Sequence, residues 1–210
     1  KTKNAAASLS KQVAEGKMHK KYLAVLCGKP VDNVEKYVDY LLKDEKENTS
    51  RIVDMGIKGG KRAELICRAL ETKPVEPYGE LTLAEIELLT GRHHQIRVQM
   101  SGHGLPLWGD NRYNPAFQKG DAAMSGSAAE RAAETGGQEQ MEKKKRESGR
   151  ILLRERRRSG TGRSGRALRV DVALAAYELA FTHPETGESM IFQHNPSGGI
   201  FRQFQMPGQQ

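Results

Sequence analysis

Two cysteines, Cys27 and Cys67, are the only thiols in 210 residues, and each sits inside an apolar run. So small a number argues against a disulfide framework or a cysteine-rich metal site. Both are expected as buried thiols of a reducing compartment, which places the chain in the cytoplasm. Aromatic residues are scarce at 6%, with a single Trp, and the apolar share is only 37%. Such a composition leaves part of the chain outside any packed core. No apolar run approaches the length that crosses a bilayer, so no membrane partner is expected. The opening "KTKNAAASLSKQVAEGK" has no apolar h-region and therefore no secretory signal, and a start on Lys rather than Met is expected of a fragment.

What is abundant is positive charge, a formal net of +8. Its distribution matters more than its size. Residues 117–166 hold thirteen basic and seven acidic side chains, so most of the excess belongs to one segment. That segment, with "GDAAMSGSAAERAAETGGQEQMEKKKRESGR" and "RERRRSGTGRSGR", is rich in Gly, Ser, Ala and charge. It is expected as a low-complexity basic insertion, mostly disordered. Its charge runs suit nonspecific phosphate contact, although a solvated run is the commoner case.

The flanking sequence is patterned. "KNAAASLSKQVAEGK" predicts a helix, with Leu9 and Val13 at i, i+4 and Gly16 as its C-terminal stop. "KKYLAVLCG" is apolar on both alternating faces and predicts a central strand covered on two sides. "VEKYVDYLLKD" is ambiguous between strand and short helix. "SRIVDM" and "KRAELICRALE" are strand candidates on either side of the Gly59–Gly60 turn, and "LTLAEIELLTG" is a strand with Ala84, Ile86 and Leu88 inward. "HHQIRVQMSG" predicts a short helix stopped by Gly102 and Gly104. "PLWGDNRYNP" predicts a loop, and "LRVDVALAAYELAFTHPETGESMIFQHNP" a hairpin. The pattern is α+β with mainly antiparallel pairing.

The densest chemistry is "TGRHHQIRVQMSGHGLPLWGD", residues 90–110. A zinc pair on a helix needs its ligands at i, i+4. His93 and His94 are adjacent, about 100° apart on a helix, and His103 lies beyond Gly102, so a metal hydrolase built on these three is the weakest reading. Ordinary polar residues at a helix start are the bland one. A third reading centres on Arg97, which helical spacing puts on one face with His93 and His94 while Ile96 and Met100 pack another. Arg92 and Arg97 then offer cationic forks to a phosphate or a carboxylate.

These residues carry a resemblance. "LLTGRHHQIRV…GLPLWGDNRY" resembles the third motif of the RluA-type RNA pseudouridine synthases, L-x-T-G-R-T/S-H-Q-I/L-R-V-H followed by G-H-P-L/I-x-G-D-x-x-Y. "KKYLAVLCG" resembles the family's second motif, K-x-Y-x-A-x-v-x-G. "AYELAFTHPETGESMIFQ" resembles its C-terminal hairpin, and "KTKNAAASLSKQVAEG" the helix between its first and second motifs. The resemblance covers residues 1–116 and about 167–204. It implies the pseudouridine synthase catalytic fold, α+β with a mixed, mainly antiparallel sheet and few helices, incomplete at its N-terminus. Residues 1–116 would be the first part of the catalytic domain, 117–166 an insertion, and 167–210 the hairpin and tail of the same domain.

The resemblance also implies isomerisation of uridine to pseudouridine in ribosomal or transfer RNA, by a monomer that needs no metal or cofactor. Tyr22 would stack on the flipped uracil, Arg97 would pair with the catalytic aspartate, and Arg92, His94, Gln95 and Ile96 would bind substrate. The aspartate itself belongs to a first motif, H-R-L-D-x-x-T-S-G-L, that is not found in these residues, and Asp32, Asp39, Asp44 and Asp54 have no matching context. The chain alone is therefore expected to be inactive, and a non-catalytic RNA-binding remnant is the competing reading. His93, Gln99 and Leu105 depart from the motif, where Thr or Ser, His and His are usual, and Gly102 lengthens the helix-breaking region. Tyr22 and Trp108 also fit plain packing roles, and Asp110 and Tyr113 fit loop-shaping ones.

Overall fold

The computed structural model describes residues 2–118 and 170–208. The expected insertion thus lies, but for its first two residues, outside the described residues. Seven strands form one sheet: β1 His19–Cys27, β2 Val34–Asp44, β3 Thr49–Val53, β4 Lys61–Val75, β5 Gly79–Leu88, β6 Leu174–Thr182 and β7 Ser189–Gln193. Their order is β3-β2-β4-β5-β1-β6-β7, and every pairing is antiparallel. Among the described residues the helices are α1 Lys3–Ala14, α2 Gln95–Gly102 and the short α3 Pro115–Gln118, with a 3-10 turn at Gly199–Gln203.

The α+β reading holds, and the ambiguous segment 34–44 is a strand. Tyr37 and Leu41 are both buried on one face of it, a spacing that suits period two. The two segments flanking Gly59–Gly60 are strands but not each other's partners, because β2 lies between β3 and β4. β1 is central, between β5 and β6, and Leu23, Ala24, Val25 and Leu26 are fully buried. Each leucine contributes about 1.5–3 kcal/mol of transfer free energy. Ala24 and Leu26 join Leu65, Ile86, Ile96 and Met100 in the main core, so α2 packs on that face of the sheet. The C-terminal tail adds the buried Phe201, Phe204 and Met206. It is tied to β4 by the Gln205 N–H donating to the Glu71 carboxylate and by Lys73 over the Phe204 ring.

Helix α1 starts with the Thr2 hydroxyl accepting from the Ala5 N–H and ends in a Schellman arrangement. The Lys17 N–H donates to Gln12 O and the Gly16 N–H to Val13 O, with Gly16 at φ +68°. The apolar pair predicted to seat it does less than expected, since Val13 is 51% exposed. Gln12 anchors the helix instead. Its Nε2 donates to the carbonyl of Thr182 at 2.8 Å and its Oε1 accepts the Thr182 N–H at 2.9 Å, a peptide-like pair on the end of β6. Gln12→Ala is expected to lower the unfolding free energy by about 1–3 kcal/mol, measured by urea denaturation, because it leaves a strand end without its partner.

Candidate active-site cleft

A cleft of about 460 Å³ opens between the C-terminal end of α1, the start of β1 and the end of β5. It is lined by Val13, Met18, Lys20, Leu88, Thr90 and Arg92 among others. Tyr22 is not among the residues lining the cleft, and strand alternation sets its place beside it. Lys20 and Leu88 are cross-strand partners, as are Tyr22 and Ile86, so Tyr22 lies next along β1 on the face that holds Lys20. Tyr22 is partly buried against the main core, and its hydroxyl has no hydrogen-bond partner among the described residues. Opposite it in the sheet plane, Lys21 faces the other way and meets Glu85 at 3.7 Å and Glu178 at 3.6 Å.

The rim is shaped by Gln95, whose side chain is 3% exposed. Its Nε2 donates to Glu64 O at 2.9 Å, while its Oε1 accepts from the Thr90 hydroxyl and the Arg92 N–H. The Leu89 and Thr90 N–H groups also donate to Glu64 O. The turn 90–92 is thus folded back on β4. The hydrogen bonds of the Gln95 side chain among the described residues are all internal, and they set the position of Arg92. Ile96, 4% exposed, belongs to the core cluster against which Tyr22 packs. Arg92 is exposed and lines the cleft, and its side chain makes one hydrogen bond among the described residues, from Nε to Arg62 O at 2.8 Å.

Arg97 lies elsewhere. Its Nε and Nη2 donate to the two oxygens of Asp110 at 2.8 and 2.6 Å, and its guanidinium sits 5.0 Å from the Tyr113 ring. Asp110 is 1% exposed and also accepts the N–H groups of Arg112 and Tyr113. Burial alone would raise this carboxyl, but the Arg97 fork and the two N–H donors outweigh it and hold it below the usual range. The Asp110 bond in turn raises Arg97. In these residues the partner of Arg97 is thus Asp110, thirteen residues along the same chain. The motif reading missed this because "G-D" and "R" are far apart on a line and adjacent only once the loop folds over α2.

The histidines do not share a helical face with Arg97. α2 begins at Gln95, and His94 precedes it in the left-handed conformation at φ 51°. Its Nδ1 is 2.9 Å from the Tyr113 hydroxyl, and its ring stacks on His93 at 3.8 Å. Burial first, then the Arg97 charge, push His94 down to about 4, so it is neutral at pH 7. His94 is thus a strut to the Tyr113 loop and is not among the residues lining the cleft. His93 Nδ1 meets the Ser50 hydroxyl at 3.0 Å, and His103 Nε2 meets Asp39 at 3.0 Å. Among the described residues, no group of three or more His, Cys, Asp and Glu could hold a metal ion, and no helix is long and apolar enough to cross a membrane.

Two residues that the sequence reading passed over gain weight. Lys20 lines the cleft, and the signal was its place in the K-x-Y pattern, two residues before Tyr22. Thr90 ties the rim to β4, with its hydroxyl accepting the Glu64 N–H at 2.8 Å. His93 and Trp108 have packing roles: Trp108 is 7% exposed between Tyr78 and Phe117.

Comparison with known proteins bears on this geometry. The family model described as RNA pseudouridylate synthase matches residues 1–102. "Ribosomal large subunit pseudouridine synthase D" of Zymomonas mobilis is 31% identical over 133 residues, 63% of this chain and 40% of that protein. "Ribosomal large subunit pseudouridine synthase C" of Escherichia coli strain K12 is 29% identical over 202 residues, 96% of this chain and 49% of that one. The chain spans about half the length, or less, of these relatives. In fold it is similar to "Human RNA Pseudouridylate Synthase Domain Containing 1", with a TM-score of 0.57 and 21% identity over 93% of this chain and 61% of that chain.

Proposed function

Because this chain belongs to the RluA-type family of RNA pseudouridine synthases, we propose that its cleft receives a uridine of ribosomal or transfer RNA. In the complete enzyme that uridine is isomerised to pseudouridine. The observation that carries this reading is the place of Tyr22 on the central strand, one step along the same face from Lys20, which lines a cleft together with Arg92. A uridine must leave its stack to be worked on, and an aromatic face on a rigid strand gives it a new one. The reaction breaks the N1–C1′ bond, turns the base and forms C5–C1′, while the C5 proton leaves and N1 gains one. A cation beside the carboxylate that initiates it favours the ionised form. Arg97 is committed to Asp110, so Arg92 is the guanidinium that faces the cleft and takes that part. The proposal carries with it a cytoplasmic monomer acting on RNA without metal or cofactor.

A second reading, a non-catalytic RNA-binding remnant, is favoured by one observation: none of the described residues lining the cleft is a carboxylate. Tritium release from RNA carrying 5-tritiated uridine separates the two when paired with RNA binding. The 210-residue chain is expected to bind RNA in a salt-sensitive way and to release no tritium. It should gain release when joined to a segment carrying the family's H-R-L-D motif. Release by these residues alone would refute the need for that aspartate. An extended chain that binds RNA but never releases tritium would establish the remnant.

A further inference from the structure

We propose that Lys20 is a positioning residue that grips the RNA phosphate beside the extruded uridine, an inference that rests on the uridine-isomerase reading above. Two consecutive lysines on β1 have opposite fates. Alternation sends Lys21 to the face where Glu85 and Glu178 meet it. Lys20 turns to the cleft, half-buried between its strand partners Leu88 and Leu179, and makes no ion pair or hydrogen bond among the described residues. Arg92 on the same cleft keeps all but its Nε free of hydrogen bonds. No acid lines the cleft to match the two cations.

An ammonium on a cleft wall that holds no acid leaves its charge for a ligand to match. The uracil ring is neutral and suits the Tyr22 face, so the charge that Lys20 answers is a phosphodiester. An ammonium is a compact point charge, suited to phosphate oxygen rather than to planar, forked recognition. Residues two apart on a strand face are about 7 Å apart. Lys20 therefore reaches the phosphate of the stacked nucleotide or of its immediate neighbour, and it holds the strand while the base turns.

The test is fluorescence anisotropy with a short, labelled, uridine-rich single-stranded RNA, over about 50 to 200 mM salt. Lys20→Gln is expected to reduce the slope of log K against log salt by about 0.7, the share of one single-strand phosphate. Lys20→Arg should restore the slope, and Lys21→Gln should leave it at the parent value. Replacing one linkage at a time with an uncharged methylphosphonate gives a check independent of the variants' folding. One position should weaken binding by the parent and leave binding by Lys20→Gln unchanged. A parental slope in Lys20→Gln, or no linkage with that pattern, overturns the inference while leaving RNA binding in place. Salt-insensitive or absent binding by the parent overturns the RNA reading itself, and this inference with it.

Discussion

Arg97→Ala is expected to destabilise the fold by about 3–5 kcal/mol, the usual cost of stranding one member of a buried ion pair. Asp110 is 1% exposed and would keep only the N–H groups of Arg112 and Tyr113. The cation over the Tyr113 ring would go as well, loosening the loop that also anchors His94 and Ser50. Urea denaturation at pH 7 measures the loss. Arg92→Ala is the contrast, since an exposed arginine with one side-chain hydrogen bond should change stability by no more than about 0.5 kcal/mol. Equal stability losses in the two variants would contradict this division of labour.

The same pair makes a pH prediction. Asp110 is held below its unfolded value of about 3.9, so its stabilisation is present above that value and disappears as pH falls through the lower folded one. His94 acts earlier. It ionises near 6.5 when unfolded but at about 4 when folded, so the unfolded chain binds the extra proton and stability falls as pH drops from 6.5 toward 4. Arg97→Ala should flatten the Asp110 part of this acid limb, because the carboxyl loses the partner that lowered it.

Gly109→Ala is expected to be the other large loss, about 3 kcal/mol or more. Gly109 is buried at φ +73°, and a Cβ there would run into the backbone carbonyl of Asp171 and lie 3.1 Å from Val170 Cγ1. The left-handed conformation accounts for about 1–2 kcal/mol and the overpacking for a further 1–3 kcal/mol. The backbone has little room to yield, because the Trp108 N–H donates to Val25 O and Trp108 O accepts the Ala173 N–H. Gly16→Ala shares the positive φ but meets nothing within 4 Å, so it isolates the conformational part. A melting temperature for Gly109→Ala as high as that of Gly16→Ala would show that the close approach to residue 171 is not limiting.

The elements were legible because they rest on local rules. β1 reads as a doubly covered strand from six alternating apolar residues. α1 reads as a helix from its alanines and its terminal Gly16. β5 reads as a strand from the glutamates between its apolar positions. The family was legible because its motifs survive as short words in order. The ambiguity of residues 34–44 was real, since "VEKYVDYLLKD" satisfies both periods and only pairing with β3 and β4 decides it. Partnership was not legible at all. Gln12 looks like a surface helix residue until Thr182, 170 positions away, is brought to it. Arg97 has no visible partner in the sequence until the 105–114 loop brings Asp110 against α2. Sequence alone determined the family, the strand-rich class and the positions of Tyr22, Arg92 and Arg97, because those depend on residue type and spacing. The tertiary structure alone decided that Arg97 pairs with Asp110 and that Lys20 and Arg92 face the cleft. Hydrogen bonds and ion pairs form between surfaces, and which surfaces meet is settled only when the sheet and its loops close.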